Sequence, residues 1–291
     1  MSDALWNSGL MAPTDLERRV CNAMMKVKAV RAQDFPGWEQ RLLDPKANPI
    51  PFMRAQRQVR NDCQGQSLAN GEEKRHWYVL GEMVQFADSY AYNGSEYFGR
   101  PGNVGRDGGT SIQSGVGLLT RGLPGIGVAP GLPLESMWKY DSYERSSARF
   151  ASRAAGVAID QSWVSEHGEL PDWEGMLVGL AAGGTGHIGT YWPPKWSSVG
   201  KRRLMDRLPR GGGGHATEII WALRIDGVWK LVVWNSHGDQ FFLMSQRCYE
   251  DMARTQANPF GGYLLLPDKP EERFVDFLRQ SPYLRGTQVV A

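Results

Sequence analysis

The chain has 291 residues, with 33 Lys and Arg, 31 Asp and Glu, and a formal net charge of +2. This length suits one large domain or two modest ones, because domains typically contain about 100–200 residues. The balanced charge lacks the basic excess of nucleic-acid-binding proteins, so we expect no nucleic-acid partner. The 35 glycines and 11 tryptophans predict many tight turns and large aromatic anchors in the core.

The three cysteines, Cys21, Cys63 and Cys248, are too few and too widely spaced for a disulfide framework. They contain no CxxC pair of the kind that binds zinc, so the sequence predicts no metal site and no cofactor. Free thiols favour a reducing compartment. The first residues do not resemble a signal peptide, and no apolar run approaches about 18 residues, so we expect a cytoplasmic protein without a membrane partner.

The first half of the chain is predicted to be mainly helical. A helix is expected near residues 14–33, capped by Thr14 or Asp15, before the proline-rich segment DPKANPIPF. Residues 62–88 contain no proline and place apolar side chains at largely helical spacings, which favours one long helix or two short ones starting close to Cys63. Its charged run at 72–75 is expected to form a solvated helix face. The glycine loop GRPGNVGRDGGTS then precedes an amphipathic helix that Gly122 ends.

The second half is predicted to be mainly β-structure. After a short helix capped near Asp172, the segments GHIGTYW, HATEIIWALRI, VWKLVVWNS and DQFFLMS alternate or run apolar as strands do. Helices followed by strands indicate an α+β protein of two lobes. We expect an N-terminal arm at 1–50, a helical lobe at 51–155, a β-rich lobe at 156–266 and a C-terminal tail at 267–291.

Catalysis by a thiol needs a base, a residue that orients the base, and donors for the oxyanion. His215 follows four glycines at the entrance to a strand, and Asn235 closes the next strand. A hairpin turn at Asp226-Gly227 lies about midway between them, so two antiparallel strands would bring them together. An amide oxygen accepting from one ring nitrogen would fix the tautomer and leave the other nitrogen for the Cys63 thiol.

In their residues and order, these features resemble the papain-like cysteine peptidases. The matching pieces are Cys63 at the start of a helix, DGGTS at 107–111, PLESMWKY at 133–140, DWEGMLVGLAAG before a strand, GGHA at 213–216 and VWNSHG at 233–238. Together they cover about residues 55–266. The resemblance implies an α+β, papain-like two-lobe fold, in which a helical lobe and an antiparallel β-barrel-like lobe enclose the active-site cleft.

The resemblance also implies an acyl-enzyme mechanism that cleaves peptide bonds in a peptide or protein substrate. Cys63 would be the nucleophile, held as a thiolate by protonated His215 and by the positive end of its own helix. His215 would act as general base and then general acid, and Asn235 would orient it. Gln58, with Gln56 as a reserve, would stabilise the oxyanion together with the Cys63 N–H.

The implied substrate contacts involve three further residues. Gly108 and Gly109 correspond to paired glycines whose backbone binds an extended substrate by β-strand addition. His237 replaces the usual aromatic residue after Asn-Ser and would add a second polar group to the cleft.

The sequence also departs from the family pattern. The Cys-Gly-Ser-Cys-Trp motif and its disulfide are absent, and GQSLAN at 65–70 can be aligned on Gly-Ser-Cys-x-Ala, which puts Ser67 at the nucleophile position. A second hypothesis therefore stays open: a papain-like fold with little or no catalysis, used as a structural or binding subunit of a larger assembly such as a phage-type particle. Self-assembly or docking would then use the N-terminal arm and the C-terminal tail.

Overall fold

The computed structural model describes residues 10–14, 17, 31–54, 58, 60–139, 143–159, 162–164, 166–192, 204–209, 211–236, 241–254 and 258–267. The α-helices in these ranges are α1 (Trp38–Leu43), α2 (Cys63–Leu80), α3 (Asp88–Gly99), α4 (Ile112–Arg121), α5 (Ser147–Ala154), α6 (Trp173–Ala181) and α7 (Gln246–Ala253). The strands are β1 (Glu166–Glu169), β2 (Thr185–Trp192), β3 (Leu204–Met205), β4 (Gly213–Ile225), β5 (Val228–Trp234), β6 (Phe241–Met244) and β7 (Gly262–Leu266). Among the described helices, none has the length and apolarity needed to cross a bilayer. The described residues do not include Cys21, Gln56 and His237. They also leave out most of the predicted first helix and most of the predicted C-terminal tail.

The strands form one mixed sheet in the order β1-β7-β2-β4-β5-β6-β3. Neighbouring strands in this sheet are antiparallel, except for β3 and β6, which are parallel to each other. The four strands predicted from apolar alternation are confirmed as β2, β4, β5 and β6. The predicted helix ends are also confirmed: α2 begins at Cys63, Gly122 follows the last residue of α4, and the Asp172 side chain caps α6. The chain is thus an α+β protein.

The sheet separates two apolar cores. Along β7, Tyr263 and Leu265 belong to the core shared with α2, α3 and α4, whereas Leu264 and Leu266 belong to the core shared with α6 and α7. This alternation follows from the two-residue period of a strand. Leu42, at the end of α1, is buried in the second core, so part of the predicted N-terminal arm packs against the sheet.

Helix α2 is buried although it is rich in polar residues. Every residue from Cys63 to His76 is buried, and the residues at 72–75 are each at most 1% exposed. The expectation of a solvated face at 72–75 is therefore wrong. The physical reason is mutual satisfaction of the buried charges, because Arg75 lies 3.3 Å from Glu72 and 3.9 Å from Glu218 of β4. Lys74 donates to the backbone oxygens of Leu180 and Gly184.

Close packing of α2 on α3 depends on Gly65, two residues after the start of α2. A Cβ atom at this position would lie 2.5 Å from the Asp88 carbonyl oxygen and 2.6 Å from the Tyr92 backbone nitrogen. Backbone atoms cannot move aside as a flexible side chain can. The missing side chain of Gly65 therefore fixes the distance between the two helices and the position of the N-terminus of α2.

We expect Gly65→Ala to destabilise the protein by about 1–3 kcal/mol or more, since the added methyl group overpacks a rigid contact. Gly125→Ala is the matched control, because a Cβ atom there would meet nothing within 4 Å. Urea unfolding of both variants measures the difference in the free energy of unfolding. Equal stability of the two variants would show that the α2–α3 contact is not tight.

Candidate active site

A β-bulge brings the predicted histidine and asparagine to the same face of the sheet. Ile225 pairs with Val228 across a two-residue turn in which Asp226 and Gly227 both have positive φ, as a type I′ turn requires. Continued without interruption, this register would place Asn235 opposite Glu218. The register shifts between Ile219 and Trp221, so that Glu218 pairs with Trp234 instead.

The shift has a direct consequence for the site. With Glu218 opposite Trp234, Asn235 continues the strand opposite Thr217, whose side chain shares a face with that of His215. A slip of one residue moves a side chain to the other face of the sheet. The bulge therefore decides that Asn235 can reach the histidine. Nε2 of His215 lies 2.8 Å from Oδ1 of Asn235, and both residues are buried.

Trp192 covers the histidine ring and was missed by sequence reasoning. It lies at the end of β2, and its ring centroid is 4.6 Å from that of His215. Trp192 is 2% exposed, so it keeps water from this part of the ring. The alternation of GHIGTYW predicts only a strand, because the pairing of Trp192 with Gly213, the first residue of the histidine strand, is visible only in the structure.

The thiol of Cys63 lies next to the histidine strand. Cys63 is the first residue of α2, and its Sγ accepts a hydrogen bond from the backbone N–H of Ala216 at 3.4 Å. Ala216 directly follows His215 in β4. The first N–H groups of a helix have no acceptor within the helix, so they are oriented to stabilise negative charge near Cys63. The structure thus places Cys63, at the start of α2, against the strand that carries His215, and places His215 in contact with Asn235 just after β5.

The environment of Cys63 favours the neutral thiol. Complete burial raises the pKa of Cys63 to about 12; the hydrogen bond from Ala216 opposes this rise, and the charge of the adjacent Asp62 adds to it. Burial also raises the pKa of Asp62, to about 6, although hydrogen bonds from Tyr143 and Gln66 oppose that rise. Asp62 is therefore ionised at neutral pH. The thiolate expected for Cys63 is not favoured at this buried position, because the charged sulfur is desolvated and lies next to the Asp62 carboxylate.

Gln58 connects the segment before α2 to the end of β5. Its backbone N–H donates to the Ser236 carbonyl oxygen at 2.8 Å, and its Oε1 accepts from the Ser236 hydroxyl at 3.1 Å. Its Nε2 donates to the Arg60 carbonyl oxygen at 2.6 Å. Gln58 therefore lies beside the neighbour of Asn235, and its amide would have to leave Arg60 in order to donate to an oxyanion.

The predicted glycine pair lies in a loop tied to the chain just before Cys63. Asn61 donates its backbone N–H and its side-chain Nδ2 to Asp107, at 3.0 and 2.9 Å. At Gly108 a Cβ atom would meet only the Asn103 side chain at 3.8 Å, so one side of this residue faces open space. The N–H of Gly109 donates to the Tyr92 hydroxyl at 3.1 Å. His237, the third predicted substrate contact, lies outside the described residues.

Ser67, the alternative nucleophile, contacts a different histidine. Its Oγ lies 3.1 Å from Nδ1 of His187 and donates to Oε2 of Glu218 at 3.0 Å. His187 Nδ1 is itself 2.8 Å from the same carboxylate oxygen. All three side chains are buried between α2 and the sheet, one helical turn beyond Cys63. This cluster connects α2 to β2 and β4.

Comparisons with known proteins give matches at the level of structure. No protein-family model and no curated protein sequence matches the chain. The structure is similar to xylellain, a cysteine protease from Xylella fastidiosa, with a TM-score of 0.59 and 17% identity over 91% of this chain and 97% of that one. ProCathepsin B S9 from Trypanosoma congolense gives a TM-score of 0.56 with 13% identity over 91% and 88% of the two chains.

The proform of the ragweed pollen cysteine protease Amb a 11 gives a TM-score of 0.55 with 12% identity, and the match covers 74% of this chain and 62% of that one. The chain has a papain-like fold. It is the two-lobe fold expected from the sequence. At these identities the similarity concerns the fold and not the chemistry.

The raised pKa of Cys63 makes a measurable prediction. At pH 8 the ionised fraction of a thiol whose pKa is about 12 is roughly a thousandfold smaller than that of an ordinary cysteine. We therefore expect iodoacetamide to alkylate Cys63 at least roughly a thousandfold more slowly than it alkylates a cysteine in an unfolded chain. The rate should rise with pH, because the thiolate fraction rises. Mass mapping of native and urea-unfolded protein between pH 7 and 10 measures both rates. Fast alkylation of Cys63 at pH 7 would contradict the raised pKa of its thiol.

Proposed function

We propose that this protein is a thiol hydrolase that cleaves peptide bonds through an acyl-enzyme formed on Cys63. The observation that carries the proposal is the arrangement around β4. Nε2 of His215 meets the Asn235 amide oxygen at 2.8 Å, and Sγ of Cys63 meets the N–H of the residue that follows His215. A nucleophile, a base and a group that orients the base are the parts that thiol catalysis requires.

In the first step, His215 takes the proton of the Cys63 thiol, and the sulfur attacks the carbonyl carbon of the peptide bond. A carbon–sulfur bond forms, and the carbonyl oxygen becomes an oxyanion. The Cys63 N–H at the helix N-terminus is one donor for this oxyanion, and Nε2 of Gln58 is the second once it has left the Arg60 carbonyl. The Asn235 contact keeps the His215 ring in the tautomer and orientation that this step needs.

In the second step, protonated His215 gives its proton to the leaving amine as the carbon–nitrogen bond breaks. Water then attacks the thioester with His215 again acting as base, which releases the acid and restores the thiol. The backbone at Gly108 and Gly109 would hold the extended substrate beside this centre. A free catalytic thiol suits a reducing compartment.

A non-catalytic binding subunit is the second candidate function. Two observations favour it: Cys63 is 0% exposed, and burial, together with the charge of Asp62, raises the pKa of its thiol. On this hypothesis the contact between Cys63 and β4 serves packing alone. Docking to an assembly would use the terminal segments, which lie largely outside the described residues.

Labelling with a peptide-like thiol-reactive epoxide separates the two candidates. For the hydrolase we expect selective modification of Cys63 that is abolished in Cys63→Ala and slowed by at least about 10³-fold in His215→Ala, since the thiol loses its base. Cys248 is the internal control, because it is also buried and its pKa is also raised to about 12. Equally slow labelling of Cys63 and Cys248, unaffected by the histidine substitution, would support the binding subunit instead.

Trp192 gives a further test of the same site. We expect Trp192→Ala to slow epoxide labelling of Cys63 by about two- to tenfold, because losing an aromatic contact of about 0.5–1.5 kcal/mol loosens the His215 ring. Trp192→Phe should retain most of the rate. Trp229→Ala is the matched control, since Trp229 is a half-buried tryptophan on β5 that packs against Trp38. An equal loss in both alanine variants would mean that Trp192 acts only through general stability.

A further inference from the structure

The loop that carries the glycine pair is anchored on both sides of Gly108. On one side, Asn61 donates its backbone N–H to Oδ1 of Asp107 at 3.0 Å and its side-chain Nδ2 to the Asp107 carbonyl oxygen at 2.9 Å. On the other side, the N–H of Gly109 donates to the Tyr92 hydroxyl of α3 at 3.1 Å. Gly108 therefore lies between two fixed points, and one side of it faces open space.

Asp107 has a backbone conformation that residues with a Cβ atom rarely adopt. Its φ is 54°, and among the described residues other than glycine only Asp226, in the hairpin turn, also has a positive φ. Aspartate occupies this left-handed region mainly where its short side chain bonds to nearby backbone. The Asp107 carboxylate instead accepts from Asn61, 46 positions earlier in the chain. Unfavourable backbone of this kind is concentrated at functional sites, where the surrounding contacts maintain it.

The segment that holds Asp107 leads directly to the proposed nucleophile. Asn61 is separated from Cys63 only by Asp62, which is fully buried. Arg60, on the other side of Asn61, places its Nε 3.6 Å from Oδ1 of Asp107. The two side chains of this ion pair are 31% and 35% exposed, so the ion pair contributes little. The two hydrogen bonds from Asn61, called the Asn61–Asp107 tie below, are thus the main attachment of the loop to the start of α2.

The second anchor limits which backbone groups a peptide can use. The Gly109 N–H already donates to the Tyr92 hydroxyl, and Tyr92 is 1% exposed. A peptide that paired with this N–H would first have to displace the buried tyrosine hydroxyl. We therefore expect Gly108, which directly follows Asp107, to make the main backbone contact with a substrate.

We propose that Asp107 is a positioning residue for the substrate: through Asn61 it holds the Gly108 backbone at a set distance from Cys63, so that the carbonyl carbon of a bound peptide reaches the sulfur. The proposal rests on the proposed function, because it takes Cys63 as the nucleophile and the glycine loop as the substrate strand. Asp107 acts through the tie and not by touching the thiol. A displacement of about 1 Å in such an arrangement can cost about 10²-fold in rate.

The test compares two reagents on the full-length protein. A peptide-like epoxide depends on the glycine loop to bring it to Cys63, whereas iodoacetamide has no peptide part and reports on the thiol alone. We expect Asp107→Gly to slow epoxide labelling of Cys63 at least about tenfold, because the side-chain acceptor of the tie is lost. Iodoacetamide labelling should not slow. Glycine adopts a φ of 54° freely, so the substitution suits the backbone at this position.

Three further variants show whether the tie itself matters. Asp107→Asn tolerates left-handed backbone and keeps an acceptor for the Asn61 N–H, so it should retain at least about half of the epoxide rate. Asp226→Gly is the matched control, since it makes the same change at the other aspartate with positive φ, in a turn that accepts Gly-Gly, and should alter neither rate. Asn61→Ala should slow epoxide labelling, with no further loss when it is combined with Asp107→Gly.

Binding without chemistry is measured in the Cys63→Ala protein. The probe is the peptide part of the same reagent without its epoxide, and isothermal titration calorimetry gives its Kd. We expect this peptide to bind at least about threefold more weakly when Asp107→Gly is added, because the loosened loop must be ordered on binding. Adding Asp226→Gly should leave the Kd unchanged.

The outcomes separate the two proposals. If Asp107→Gly changed neither epoxide labelling nor peptide binding, the positioning role would be overturned, even if the protein hydrolyses peptides. Equal slowing of both reagents, equal losses in Asp107→Asn and Asp107→Gly, or absence of peptide binding to Cys63→Ala would also overturn it. Weaker peptide binding confined to the Asp107 and Asn61 variants supports the positioning role even if no peptide is hydrolysed, in which case the proposed hydrolase activity fails alone.

Discussion

The structure depends on burying α2, a helix rich in polar residues, between the helices α3 and α4 and the sheet. Burial of its charged turns is tolerated only because each charge has a partner. The carboxylate of Glu218 on β4 is the partner of Arg75. The same carboxylate accepts a hydrogen bond from Ser67 and lies beside His187. Breaking such a pair costs far more than an exposed pair contributes. The network therefore fixes the position of α2 on the sheet, and with it the position of Cys63 at the start of the helix.

The same burial explains why the thiol is held in its neutral form. A helix N-terminus ordinarily favours a thiolate, but that effect acts within the first turn and is modest. At Cys63 it competes with complete desolvation and with the charge of Asp62, and desolvation prevails. A site with the geometry for thiol chemistry can thus be inactive at rest.

Much of the candidate site followed from the sequence because its signals were local. Cys63 begins a proline-free helical pattern, four glycines precede His215, and Asp226-Gly227 defines a hairpin about midway to Asn235. The residues missed were those whose roles depend on packing. Trp192 has no special sequence context, and the charges at 72–75 resemble an ordinary solvated face until the sheet provides their partners.

The sequence by itself determined the order of elements, the α+β class and the choice of Cys63, His215 and Asn235 as candidate site residues, since helix starts, strand periods and turns are encoded within a few residues. Only the tertiary structure decided which of these side chains meet. Continued from its turn, the hairpin register would place Asn235 on the wrong face, and the bulge between Ile219 and Trp221 corrects it by one residue. The tertiary structure also decided that Cys63 approaches β4 while Ser67 contacts His187, and that Leu10 pairs with Thr110. These contacts join residues more than 90 positions apart in the chain, which local patterns do not encode.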